Sequence, residues 1–143
     1  MKTLIILMTA VILTGNAHAQ KLKESKLPAA VTAAFAKTYP AVKDAEWEME
    51  DENYLAGFES NDKDVSVLFD AAGAIIEIET EIANSELPQP ARDYIAKNYA
   101  GKEVTESFKI TDAKDTTLTF EAEIGKTDVI FDISGNFIEA AQE

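Results

Sequence analysis

The sequence reads "FDAAGAIIE" at residues 69–77 and "FDISGNFIE" at residues 131–139, sixty-two positions later. In both copies an Asp follows the Phe, and a Gly lies three residues after that Asp. An Asp side chain can accept hydrogen bonds from the backbone N–H groups that follow it, and Gly can adopt the positive φ that closes a tight turn. Each copy is therefore predicted to be a turn between two strands, and its recurrence predicts a fold of two similar units.

A helix is predicted upstream of each copy. At an offset of 60, an apolar stripe with the spacing i, i+4, i+8, i+12 occurs twice, which is typical of one face of a helix. The stripes are Leu27, Val31, Phe35 and Tyr39 in the first copy, and Leu87, Ala91, Ile95 and Tyr99 in the second. A proline follows the first leucine of each stripe, and proline suits the first turn of a helix because its missing N–H needs no partner there.

Between each helix and the repeated turn the apolar residues alternate with polar ones, which predicts half-buried antiparallel strands. We predict an α+β fold of two tandem repeats, at about residues 25–84 and 85–143. Each repeat is expected to be one helix followed by a four-stranded antiparallel sheet that packs against that helix. The two sheets could join edge to edge into one longer sheet, and their outer edges leave the oligomeric state open.

The first residues predict export. Lys2 precedes an apolar run of ten residues, Leu4 to Leu13, and Ala17-His18-Ala19 has the small-x-small pattern of a signal peptidase site. Since a membrane-spanning helix needs about twenty apolar residues, residues 1–19 are predicted to be a signal peptide, cleaved near Ala19, and not an anchor. The mature chain, residues 20–143, would be a single domain in the periplasm or outside the cell.

The predicted mature chain offers few side chains for catalysis. It has no Cys, and its one His, His18, lies in the leader. Nucleophilic Ser-His or Cys-His pairs, thiolate or imidazole zinc sites and haem ligation of the usual kind are therefore excluded. Carboxylate pairs remain, but the sequence places no acid in an apolar pocket that would raise its pKa. We predict a protein that is not an enzyme and has no cofactor.

The net charge restricts the partners. The full sequence has 13 basic and 26 acidic residues, and without Lys2 the net charge is −14. Nucleic acid and anionic membrane surfaces require positive charge, so neither is an expected partner. A basic protein surface or a divalent cation fits this charge better.

Six glutamates are the candidate binding residues. They alternate with apolar residues in two predicted strands of the first repeat, on the side that would face away from the helix. These residues are Glu46, Glu48, Glu50, Glu77, Glu79 and Glu81. They could attract a basic protein partner, supply the carboxylate oxygens that calcium prefers, or simply form a solvated sheet face. The second repeat is expected to lack this pattern, and such a difference between the copies favours a function for the six glutamates.

The first copy resembles a known family. The stretch "LPAAVTAAFAKTYP" (27–40), Trp47, the Tyr-x-Ala-x-Phe run (54–58) and "VLFDAAG" (67–73) are similar to the PepSY-like family of beta-lactamase-inhibitor-like (BLIP-like) proteins. The resemblance extends from about Leu27 to Glu139, and in the second copy Phe108 takes the place of the Trp. It implies two helix-plus-four-strand units and a binding or inhibitory module, and it identifies no target.

We therefore predict an exported binding module that is not an enzyme, and that inhibits or modulates a periplasmic enzyme through the six glutamates. The alternative prediction is a calcium-binding protein that uses the same residues. Calcium binding would raise the melting temperature at low millimolar calcium. A face that binds only protein would respond only to general salt screening.

Overall fold

The computed structural model describes residues 20–142. The predicted signal peptide and its cleavage site lie outside these residues. The described chain contains two α-helices and nine strands, and it divides into two compact units, one ending at Ile78 and one beginning at Glu79. Within residues 20–142, neither helix has the length and apolar character that a membrane crossing requires.

The first unit contains one helix, α1, and the strands on either side of it in sequence. Its elements are β1 (Gln20–Leu22), α1 (Ala29–Thr38), β2 (Glu46–Glu50), β3 (Asn53–Ser60), β4 (Lys63–Phe69) and the first part of β5 (Ile75–Glu81). A short 3₁₀ helix, Glu24–Lys26, precedes α1. Strands β1 to β4 pair antiparallel in sequence order.

Helix α1 packs on one face of these strands through an aromatic cluster. Val31 and Phe35 are the buried residues of the helix. The ring centroid of Phe35 lies 5.1 Å from that of Trp47, 5.5 Å from that of Phe58 and 6.3 Å from that of Phe69. The predicted apolar stripe of the first helix is thereby confirmed as its core-facing side.

The second unit has a second helix and a more aliphatic core. A short 3₁₀ helix, Asn84–Glu86, leads into it. Its main elements are α2 (Gln89–Asn98), β6 (Glu106–Asp112), β7 (Leu118–Ile124), β8 (Thr127–Asp132) and β9 (Phe137–Gln142). Leu87, Ala91 and Ile95 are buried in one cluster with Ile82, Ala122, Ile124, Val129 and Phe131. The second apolar stripe is therefore confirmed as well.

Both copies of the repeated phrase form the predicted turn. Asp70 Oδ1 accepts hydrogen bonds from the backbone N–H groups two and four residues later, both at 2.9 Å, and Gly73 has a φ of +84°. Asp132 Oδ1 accepts the equivalent bonds at 2.8 and 2.9 Å, and Gly135 has a φ of +85°. The Asp side chain and the Gly backbone thus close each turn as the sequence predicts.

The two turn glycines also lie against the helices. A Cβ atom on Gly73 would come within 2.5 Å of the carbonyl oxygen of Ala30, in the first turn of α1. A Cβ atom on Gly135 would come within 2.7 Å of Pro88 Cβ and 2.9 Å of the backbone N of Ala91. In each unit the turn therefore packs against the start of the helix, a second requirement for Gly that the local sequence does not reveal.

The sheet differs from the prediction. The strands form one nine-stranded sheet in the order β1-β2-β3-β4-β5-β6-β7-β8-β9. The prediction of two repeats, each with its own four-stranded sheet, is therefore wrong. An edge strand exposes unpaired N–H and C=O groups, so one continuous sheet has fewer such edges than two separate sheets. Strand β1, which the sequence did not predict, adds a further strand beside β2.

Candidate binding site on the acidic face

The helix-free face of the first unit is the side of β2–β4 opposite α1. Residues paired directly across antiparallel strands point to the same side of a sheet. Trp47 pairs with Ala56, and both belong to the core under α1. Glu46, Glu48 and Glu50, which alternate with these core positions, therefore lie on the helix-free face, as predicted for a period of two.

The three glutamates of β2 differ in exposure. Glu46 is exposed, and its Oε2 lies 3.9 Å from Nζ of Lys21, which is exposed too. Such a solvated ion pair contributes little stability. Glu48 is half-buried, and Glu50 is only 4% exposed. A solvated strand face would expose all three about equally, so Glu50 is the residue that departs from this pattern.

Glu50 is the chemically unusual residue of this face. Its Oε2 atom is buried and has no hydrogen-bond partner among the described residues. Burial, together with the nearby charges of Asp51, Glu77 and Glu48, raises the pKa of Glu50 to about 7. An ordinary Glu is fully ionised at neutral pH, whereas a pKa of about 7 keeps the Glu50 carboxyl partly protonated there.

Glu77 acts on Glu50 although the two residues lie on different strands of the first unit. Glu77 lies on β5, and strands β3 and β4 separate β5 from β2. Strands in a flat sheet are about 4.8 Å apart, so this separation would be about 14 Å. The two carboxylates nevertheless lie close enough for Glu77 to raise the pKa of Glu50. Glu48, Glu50 and Glu77 therefore act on one another by charge on the helix-free face.

The remaining two candidates belong to the second unit. Glu79 is buried and Glu81 is half-buried, so neither is a fully solvated side chain. The second unit also carries carboxylates that the sequence interpretation missed, on the side of its strands opposite α2. They are Glu106, Glu121, Glu123 and Asp128, and the register aligns Glu106 with Glu123 and Glu123 with Asp128. The alternation in "LTFEAEI" is the signal that could have identified two of them.

The structure also corrects the proposed counterpart of Trp47. Ser107 pairs with Ala122, in the core under α2, whereas Phe108 pairs with Glu121 on the opposite side. The position of Trp47 is thus taken by Ser107, because a shift of one residue moves a side chain to the other face of a sheet. Ser107 is buried, and its hydroxyl donates a 2.8 Å hydrogen bond to Oδ1 of Asn84.

The acidic residues do not form a recognisable metal centre. Among residues 20–142, no group of three or more His, Cys, Asp or Glu side chains is placed to hold a metal ion. The calcium alternative therefore stays a prediction without a ligand set in this part of the chain. The acidic residues whose charges act on Glu50 instead make this part of the helix-free face negatively charged.

The fold is similar to those of several solved Bacteroides proteins. A DUF2874 family protein from Bacteroides uniformis is 25% identical, with a TM-score of 0.72, over 80% of this chain and 88% of that one. A BLIP-like protein from Bacteroides fragilis is 22% identical, with a TM-score of 0.65, over 79% of this chain and 84% of that one. A "putative periplasmic" protein from Bacteroides eggerthii is 18% identical, with a TM-score of 0.74, over 81% of this chain and 88% of that one.

Comparison at the level of sequence gives the family. None of the curated proteins compared with this chain matches it. A family model described as "putative beta-lactamase-inhibitor-like, PepSY-like" matches residues 14–77 and again residues 52–139. The two matches together span most of the sequence, and they agree with the resemblance in residues 27–73. The chain belongs to the PepSY-like, beta-lactamase-inhibitor-like family.

Proposed function

We propose that this chain is an exported binding module without enzymatic activity, which uses its acidic helix-free face to bind a basic surface on a periplasmic protein. As a BLIP-like protein it would act as an inhibitor or modulator of an enzyme. Three observations support this proposal: the inhibitor-like family, the periplasmic description of a protein with the same fold, and the leader predicted in residues 1–19. The observation that carries it is the crowding of carboxylates around Glu50.

Crowded like charges favour binding over simple solvation. In the free protein, the negative charges of Glu48, Asp51 and Glu77 oppose the ionisation of Glu50, and this repulsion costs electrostatic free energy. A face that served only solubility would gain nothing from bringing its carboxylates together. A cationic partner would remove the repulsion, and the negative charge of the face would attract that partner from solution.

The chemistry of the face favours a protein partner. Leu55 lies opposite Glu48, and Leu68 lies opposite Leu55 in the next strand. Leu68 is partly exposed, so an apolar side chain lies beside the carboxylates. Protein interfaces combine apolar contacts with charged groups in this way, and long Lys and Arg side chains can satisfy both because an apolar stem carries the charge.

Affinity capture from a periplasmic extract of the source organism tests the proposal. The bait is the purified protein, and the test variant carries Gln at all six candidate positions. A control variant removes the same charge at six exposed acids elsewhere: Glu24, Asp44, Asp62, Asp93, Glu103 and Glu139, each changed to its amide. We expect a basic protein that the wild type and the control variant retain and the test variant loses. Equal retention by all three proteins would contradict the proposal.

A captured enzyme then allows inhibition to be measured directly. We expect its rate to fall as the wild-type protein approaches one equivalent, and to stay unchanged with the six-Gln variant. Binding that leaves the rate unchanged would support the proposal of a binding module and contradict the proposal of an inhibitor. Circular dichroism of both variants checks that the loss of binding does not come from unfolding.

A further inference from the structure

One oxygen atom on the helix-free face lacks the donor that its chemistry requires. Glu50 Oε2 is buried without a hydrogen-bond partner among the described residues. Buried carboxylate oxygens are normally hydrogen-bonded, and an unsatisfied one costs on the order of 1–3 kcal/mol. The carboxylates of Glu48, Asp51 and Glu77, whose charges act on Glu50, are acceptors when ionised and cannot supply a donor.

We propose that Glu50 is the buried anchor of the acidic face: a Lys or Arg side chain of the partner donates a hydrogen bond to Glu50 Oε2, and the Glu50 carboxyl proton is released to solvent. This inference rests on the proposed function and adds to it the chemistry of the contact and its coupling to pH. The O–H bond of the carboxylic acid breaks, buffer accepts the proton, and the charge-assisted hydrogen bond N⁺–H···O⁻ forms.

The charged groups near Glu50 favour the binding of a cation at this site. From its own strand it faces Glu48, from the following turn Asp51, and from β5 Glu77, while Asn53 lies opposite it on β3. Lys21 lies opposite Glu48 in the register, but its Nζ is directed to Glu46. Every residue that shifts the pKa of Glu50 by its charge is therefore an acid, and a cation from outside would reverse that balance.

Proton release follows from the two states of Glu50. In the free protein its pKa is about 7, and a bound cation lowers it because an opposite charge favours the ionised form. The complex then holds fewer protons than the free protein at neutral pH, so its affinity must rise as the pH rises through about 7. Binding near pH 7 should release about half a proton, and binding at pH 9 should release almost none from this group.

Calorimetry with a hexa-arginine peptide tests the inference on the purified protein. Titrations at pH 7 in phosphate and in Tris, which differ in ionisation enthalpy, count the protons released. For the wild type we expect about 0.5 proton per peptide and an affinity that increases at least fivefold from pH 6 to pH 8. For Glu50→Gln we expect no proton release and an affinity at pH 8 at least tenfold weaker.

Glu59→Gln is the matched control. Glu59 pairs with Asp64, lies on the same face and is exposed, so this variant loses the same charge without touching the anchor. It should lose less than threefold in affinity and should still release the proton. The wild-type proton count does not depend on any variant, so it remains decisive if Glu50→Gln fails to fold.

The possible results separate this inference from the proposed function. If the wild type binds the peptide without releasing protons, or if Glu50→Gln behaves like Glu59→Gln, the anchor is wrong and the acidic face can still bind protein. If the peptide does not bind the wild type, both proposals are contradicted, because each requires the acidic face to bind a basic partner. If 2 mM calcium displaces the peptide from the wild type at constant ionic strength, but not from Glu50→Gln, Glu50 belongs to a metal site and the inference is overturned.

Discussion

Strands β2 and β6 occupy corresponding places after the two helices, yet they carry different side chains on the face opposite the helix. At the offset of 60, Glu48 and Glu50 of β2 correspond to Phe108 and Ile110 of β6. Glu50, Phe108 and Ile110 are all buried. Burial of Phe and Ile stabilises a fold, whereas burial of a carboxylate opposes it. The buried carboxylate of Glu50 is therefore the feature that sets β2 apart from β6.

The cores under the two helices also differ, and here the first unit has the larger apolar side chains. In the first unit Phe35 packs against Trp47, whereas the corresponding residues of the second unit are Ile95 and Ser107, and the Ser is held by its hydrogen bond to Asn84. The same arrangement of helix and strands thus accommodates two interiors. The first unit depends on aromatic packing, and the second on aliphatic packing with one buried polar contact.

The largest expected effect is the loss of stability when a central residue of either core is truncated. Phe35→Ala should lower the free energy of unfolding by about 4 kcal/mol, because it removes a ring that contacts several others, and Ile95→Ala should lower it by about 3 kcal/mol. Urea unfolding followed by circular dichroism measures both. A larger loss for Ile95→Ala would contradict the view that the aromatic cluster is the more tightly packed core.

The turn glycines provide a comparison within each unit. Gly73→Ala and Gly135→Ala should each cost about 3 kcal/mol, because a left-handed φ and a backbone or proline contact both exclude a Cβ. Gly125 also has a positive φ but has open space around it, so Gly125→Ala should cost only about 1 kcal/mol. Equal losses at all three positions in urea unfolding would mean that close packing against the helices contributes nothing.

Removal of the Glu50 charge tests whether ionisation of this buried carboxyl lowers the stability of the fold. The pKa of Glu50 in the folded protein, about 7, lies above the value of an unfolded Glu, so the folded state binds more protons between these two values. This group therefore lowers stability as the pH rises from about 4.5 to about 7. The free energy of unfolding of Glu50→Gln, relative to that of the wild type, should therefore increase by about 2 kcal/mol from pH 5 to pH 8. If the difference in stability between Glu50→Gln and the wild type does not change with pH, ionisation of Glu50 does not destabilise the fold.

The smallest effect concerns the polar contact in the second unit. Ser107→Ala should destabilise the protein by about 1 kcal/mol, because Asn84 Oδ1 loses its donor but is exposed enough for water to replace it. Ser107→Cys, which keeps the size and weakens the donor, is the companion variant. Thermal unfolding that detects no loss for Ser107→Ala would show that this hydrogen bond does not stabilise the second core.

Local patterns in the sequence predict much of this fold. The period of four places Phe35 and Ile95 on the core side of their helices, and the Asp-x-x-Gly signal predicts both turns. The continuation of the strands into one nine-stranded sheet depends on contacts between residues far apart in sequence, which periodicity does not contain. The same limit applies to the site: alternation places Glu46, Glu48 and Glu50 on one face, but it cannot distinguish the exposed Glu46 from the buried Glu50.

The central claim is that Glu50 is buried on the helix-free face and that the charges of nearby acids act on it. A pH titration of the Glu50 side-chain carboxyl by ¹³C NMR, assigned by comparison with Glu50→Gln, tests it most directly. We predict a midpoint near pH 7, and a shift of that midpoint to lower pH when the hexa-arginine peptide is present. A midpoint near the ordinary value of Glu, about 4.3, would show that Glu50 is solvated and that the acidic face is not crowded.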